Sequence, residues 1–89
     1  MPLVRFTQNM QRHVACPPQQ ARGSTVREAL ESYFSQHAKV RDYVLDDQGS
    51  LRRHMVVFVN GNTVSDRVKL SDAIEPGATI DVMQALSGG

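Results

Sequence analysis

Three places in the 89-residue sequence carry residue types that could do chemistry: Cys16 with His13 three positions before it, the cluster Arg52-Arg53-His54, and the terminal pair Gly88-Gly89. A catalytic thiolate needs a positioned base or a positive environment that lowers the thiol pKa. On a strand, residues three apart point to opposite faces, so Cys16 reads as a small hydrophobe beside the Pro17-Pro18 turn. His37 falls at the edge of an apolar helix stripe and reads as a boundary residue. Arg52, Arg53 and His54 read as a solvated basic loop. The carboxylates form no acid/base pair: Asp46 and Asp47 are neighbours on a turn, and Asp66, Asp72, Glu75 and Asp81 are dispersed. No glycine-rich loop has the spacing that cradles phosphate. Intrinsic catalytic residues, a bound cofactor and a metal site are therefore not expected.

The end of the chain is different in kind. Gly88 and Gly89 follow an alternating apolar segment, and two glycines add nothing to a core while maximising backbone freedom. Without side chains they form a thin lead that can thread a narrow channel in a partner and present the α-carboxylate of Gly89 to a buried reaction centre. A carboxylate is a poor electrophile, so chemistry there calls for activation by another enzyme as an acyl-adenylate made from ATP.

The remaining residues must position that end. Leu3 to Gln8 alternates and reads as a strand with Val4 and Phe6 inward. His13 to Cys16 is a candidate antiparallel partner, closed by prolines that cannot donate to a ladder. Thr25 and Glu28 have the spacing of a capping box, with Ser24 as the rival cap. Behind them Val26, Ala29, Leu30, Tyr33, Phe34 and His37 share one helical stripe. Residues 38–50 read as a charged loop in which Val40, Tyr43, Val44 and Leu45 cover an edge of the core, and Asp46 to Gly49 as a turn. Met55 to Val59 is the most strand-like segment and meets Asn60-Gly61, the commonest two-residue hairpin signal. Val68, Leu70 and Ile74 are expected to anchor a polar connection, Pro76-Gly77 to turn, and Ala78 to Leu86 to form the last strand with Ile80 and Val82 inward.

That order predicts an α+β fold, a mixed sheet of four to five strands curled round one main helix, with the first and last strands side by side and parallel. The expected division is a single domain over residues 1–86 and a flexible tail over 87–89. Alternation puts Met83 and Ala85 on the outer face, an apolar patch suited to docking that Leu86 extends, unless Met83 packs under a loop. Phe58 falls either to that patch or to the core. The formal net charge of +1 supplies no field to draw nucleic acid or anionic lipid, and no apolar run is long enough to span a membrane. The single cysteine forms no internal disulfide, and the expected compartment is the cytoplasm.

The segments MVVFVNGNTV and KLSDAIEPGATIDVMQALSGG resemble the second half of the ThiS/MoaD family of sulfur-carrier proteins, which have the ubiquitin-like β-grasp fold. The first strand and the TVREAL helix start extend the likeness. The resemblance implies a carrier or small synthase subunit rather than a catalyst. An ATP-dependent adenylating enzyme of the ubiquitin-activating type would act on Gly89, with Gly88 required for passage. A sulfur donor of the cysteine desulfurase or rhodanese type would then convert the adenylate to a thiocarboxylate, and an acceptor biosynthetic enzyme would take the sulfur. The long segment 38–54 resembles the longer MoaD-like carriers and those serving cysteine synthesis, whereas the last strand lacks the proline pair of many molybdopterin-type carriers. Molybdopterin, thiamine, cysteine and secondary metabolites all stay open as destinations. Two other functions stay open beside the carrier: a ubiquitin-like modifier that forms isopeptide bonds, and a β-grasp interaction module whose glycines are incidental.

Overall fold

The computed structural model of the chain describes residues 1–84. Strand β1 (Leu3–Phe6) leads into a one-turn helix α1 (Gln8–Gln11), followed by β2 (Gln19–Gln20), the main helix α2 (Val26–Phe34) and a second helix α3 (Ala38–Val44). The hairpin β3 (Met55–Val59) and β4 (Asn62–Thr63) precedes the last strand, β5 (Thr79–Gln84). The five strands form one sheet in the order β2-β1-β5-β3-β4. β5 runs parallel to β1, with Val4 opposite Ile80 and Phe6 opposite Val82, and antiparallel to β3, with Val57 opposite Val82. The last strand is thus at the centre, as the element order predicts.

One face of the sheet carries Val4, Phe6, Met55, Val57, Ile80 and Val82, all buried against Val26, Ala29, Leu30 and Tyr33 of α2. The cap of α2 uses both of its rivals. Thr25 Oγ1 accepts from the Glu28 amide at 3.1 Å, and the Glu28 carboxylate reaches past Thr25 to accept from the Ser24 amide at 2.8 Å. Gly23 enters this turn at φ +148°, and a Cβ there would lie 2.6 Å from Glu28 Cβ, so the position requires glycine. The hairpin turn has Asn60 at φ 50° and Gly61 at φ 86°, the two positive values of a type I′ turn.

Several expectations need correction. The first strand stops at Phe6, because the Thr7 hydroxyl accepts from the Met10 amide and starts α1, which buries Met10. The partner of β1 is Gln19–Gln20, not His13–Cys16. The ladder needs amide donors, which the chain regains only after Pro17-Pro18, and Ala21 N donates to Pro2 O at 2.8 Å. Segment 38–44 is a helix rather than a loop: Val40 and Val44, four apart, are fully buried and hold it to the core. Leu45 is buried beside them, while Tyr43 is exposed on the far side of α3. The main helix is therefore accompanied by two short ones. In the connection after β4, Leu70 is fully buried at φ 54° and Ile74 packs against the core, but Val68 is 62% exposed. The backbone around it is held by Asp66, whose carboxylate accepts from the Val68, Lys69 and Ser71 amides and from the Ser71 hydroxyl.

Candidate functional site: the end of β5

β5 is bonded on both edges as far as Val82 and to β3 alone through Gln84, so the direction of the strand is fixed. Met55 pairs with Gln84, Val56 with Met83, and Phe58 with Asp81. The Gln84 side chain accepts a hydrogen bond from the Asn9 amide group of α1, a further tie at the base of the tail. The expected sites Ala85, Leu86, Gly88 and Gly89, with the tail boundary at residue 87, lie outside the described residues.

The outer face of the sheet resolves the two open side chains. Val57 is fully buried and Phe58 and Met83 are each half-buried on the opposite parity, so both belong to the outer face rather than to the core. Val56, directly opposite Met83, joins them. Sequence reasoning missed it, although its position two residues before Phe58 on the same strand is the signal that finds it. Beside this apolar row, Arg5 Nε and Nη2 donate to the two Asp81 oxygens at 2.7 and 3.0 Å, a bidentate pair across β1 and β5. The hydrogen bond to Asp81 holds the Arg5 guanidinium above its ordinary pKa. Arg5, Thr7, Pro18, Asp81 and Met83 line a groove of about 250 Å³ that runs along this face.

The groups that could have made a different centre lie elsewhere and are differently occupied. Cys16 is 1% exposed, and burial raises its thiol pKa, away from the thiolate that nucleophilic chemistry needs. His13 is exposed. The His37 ring stacks on Tyr33 with centroids 4.5 Å apart, and its Nε2 lies 2.9 Å from Gln19 Oε1. Tyr33 in turn donates its hydroxyl to Pro17 O at 2.7 Å, and desolvation pushes its phenol up. Among the described residues no three His, Cys, Asp or Glu side chains converge on a metal position, and no helix is long and apolar enough to cross a membrane.

A mixed sheet with parallel first and last strands at its centre, one helix packed on its inner face and an apolar outer face around the last strand defines a ubiquitin-like β-grasp domain. Three solved structures share that fold. A chain of the BexX/CysO complex from Amycolatopsis orientalis superposes with a TM-score of 0.82 at 24% identity over 100% of both chains. CysO of Mycobacterium tuberculosis gives 0.81 at 19% identity, over 97% of this chain and 100% of that one. SAMP1 of Haloferax volcanii gives 0.77 at 24%, over 99% and 98%. No curated protein sequence matches the chain. The model of the ThiS family matches residues 11–89, and the chain belongs to that family. It is the sulfur-carrier group that the sequence resembles, whose members are small carriers rather than catalysts.

Proposed function

We propose that the protein is a sulfur carrier whose reactive group is the carboxylate of Gly89. An adenylating enzyme of the ubiquitin-activating type joins that carboxylate to the α-phosphate of ATP and releases pyrophosphate. Hydrosulfide delivered by a sulfur donor then attacks the acyl carbon and AMP leaves, which yields the thiocarboxylate. The tail hands this sulfur to an acceptor in a separate biosynthetic enzyme, in a pathway to a sulfur-containing cofactor or metabolite. The observation that carries the reading is the position of β5: the strand that leads to Gly88-Gly89 is the central one, bonded on both sides as far as Val82 and to β3 through Gln84. A rigid base is what lets a thin tail be aimed into a channel, and the half-buried apolar face beside it offers the docking area.

The deciding experiment incubates the protein with an adenylating enzyme of its source organism, ATP and sulfide, and reads the intact mass. A species with one oxygen exchanged for sulfur is expected at Gly89, and its absence sinks the carrier reading. A second reading is favoured by the likeness to SAMP1, a protein named as a small archaeal modifier. Here the same adenylate is captured by a lysine amine and an isopeptide bond forms. Gly-Gly remnants on lysines of cellular proteins after digestion would support it, and thiocarboxylate without remnants would exclude it as the main activity.

A further inference from the structure

The basic cluster Arg52-Arg53-His54, read from sequence as a solvated loop, has a particular place in the fold. It forms the turn immediately before β3, and the next residue, Met55, is the one that pairs with Gln84. The turn therefore borders the base of the tail. It is also a built turn. Met55 N donates to Arg52 O at 2.9 Å, Arg52 N to Val44 O at 3.0 Å, and Arg52 Nε to Asp42 O at 2.7 Å. From the other side Arg67 Nη2 donates to Arg52 O at 3.0 Å and to Arg53 O at 3.4 Å, while Leu51 N donates to Arg67 O at 2.9 Å. Three guanidinium-bearing residues from two separate segments are thus brought to one spot.

Their charges are not neutralised there. The guanidinium groups of Arg52 and Arg67 are bonded to backbone carbonyls, and among the described residues neither they nor Arg53 is in an ion pair with a carboxylate. Of the acidic groups nearby, one is committed to its own loop, and the other, next to Arg52 through its backbone carbonyl, keeps its carboxylate in solvent. Asp66 is turned to the amides of its own loop, and Asp42 lies 3.9 Å from Arg41 with its side chain 82% exposed. Arg53 and His54 are exposed. Gathering like charges without carboxylate partners costs stability, and that cost is offset when an opposite charge arrives.

We propose that Arg52, Arg53 and Arg67 form a basic collar at the base of the tail that receives an acidic protein surface, the rim of the channel into which the activating enzyme takes Gly88-Gly89. This rests on the carrier reading. An acidic protein rim fits better than a nucleic acid, because the net charge of +1 leaves the rest of the surface without the basic field that backbone phosphates need. The collar steers encounter and sets register while the apolar row of Val56, Phe58 and Met83 supplies the buried contact.

The test measures ATP–pyrophosphate exchange by an adenylating enzyme of the source organism with the full chain as substrate, from low to high sodium chloride. Arg53 is the residue to vary, since its side chain makes no hydrogen bond among the described residues, unlike Arg52 and Arg67. Arg53→Glu is expected to raise KM on the order of tenfold with little change in kcat and to flatten its dependence on salt. Arg53→Lys keeps the charge and should stay near wild type. Arg22→Glu, beside Pro2 at the opposite end of the sheet, should leave KM unchanged. An unchanged KM and salt slope for Arg53→Glu, with wild type active, overturns the collar and leaves the carrier reading standing. No exchange with wild type overturns both. A single-stranded RNA oligonucleotide that binds the chain and is released by Arg53→Glu, with KM unaltered, also overturns it in favour of nucleic acid.

Discussion

Val56 and Met83 stand opposite one another on the β3–β5 ladder, both half-buried on the outer face, while their neighbours Val57 and Val82 are fully buried on the other. With Phe58 they make an apolar row with no element of the chain packed over it among the described residues. Met83→Asp and Phe58→Ser should therefore weaken productive encounter with the activating enzyme about 10- to 100-fold in kcat/KM, the range of a lost interface anchor. The melting temperature should move little. A large fall in melting temperature with unchanged kcat/KM would instead place these side chains in the core.

Gly88→Val tests the tail by itself. Among the described residues the buried core reaches as far as Val82, and a branched side chain at position 88 should leave thermal unfolding at the wild-type temperature. Acyl-adenylate formation should be abolished, because a channel that admits two glycines excludes a β-branched residue. Wild-type pyrophosphate exchange by the variant would refute a narrow channel.

Arg27 is the residue that ties α2 to the two loops beneath it. Its guanidinium donates to Gly49 O, to Val68 O at 3.1 Å and to Lys69 O at 3.0 Å. Arg27→Gln should cost about 1.5–3 kcal/mol, the usual worth of hydrogen bonds to a charged group. For a domain of this size that is a fall in melting temperature of roughly 4–8 °C per kcal/mol. Arg27→Lys should restore little, since an ammonium cannot reach three carbonyls with a planar fork.

How far the sequence foretold this fold can be argued from those same residues. Periodicity found the inward positions of the first and last strands, Val4, Phe6, Ile80 and Val82, the α2 stripe from Val26 to Phe34 and the Asn60-Gly61 turn, because in each the local preference and the burial pattern agree. It failed where a short element is held by tertiary contacts. Four residues of α1 and seven of α3 are too few for an isolated helix, and what keeps them helical is the burial of Met10, Val40 and Val44. Val68 misled because a β-branched apolar residue in a polar stretch looks like an anchor, whereas Asp66 secures that loop through its amides. At the end of β5, alternation left Phe58 and Met83 undecided, and the pairing register settled both. The meeting of Arg67 with Arg52 and Arg53 was invisible, since it depends on a contact between segments about fifteen residues apart.

Acid should loosen the same loop. The Ser71 hydroxyl first, then backbone amides, hold the Asp66 carboxyl at about 2, below its ordinary 3.8. A folded-state pKa below the unfolded one gives stability that is complete above about pH 4 and lost as pH falls toward 2. Glu28, lowered by the Ser24 amide and hydroxyl, acts in the same direction. Urea midpoints measured from pH 7 to pH 2 should fall in that window, and Asp66→Asn should flatten the fall. A midpoint constant from pH 4 to pH 2 would contradict this arrangement of donors.

Cys16 offers the cleanest separation between a carrier and a thiol enzyme. It is packed into the core, and burial raises its thiol pKa, so the reactive thiolate is scarce at neutral pH and sterically out of reach. An aromatic disulfide reagent should therefore label the native protein slowly and the urea-unfolded protein at once. Cys16→Ala should cost about 1 kcal/mol through the small cavity it leaves. Exchange at Gly89 should continue at the wild-type rate, because in the proposed cycle the tail carries the reacting carboxylate and the enzyme supplies the rest. Immediate labelling in the native state, joined to loss of sulfur transfer in Cys16→Ala with adenylation intact, would make the thiol a participant and would move the site from the end of β5 to the turn before Pro17.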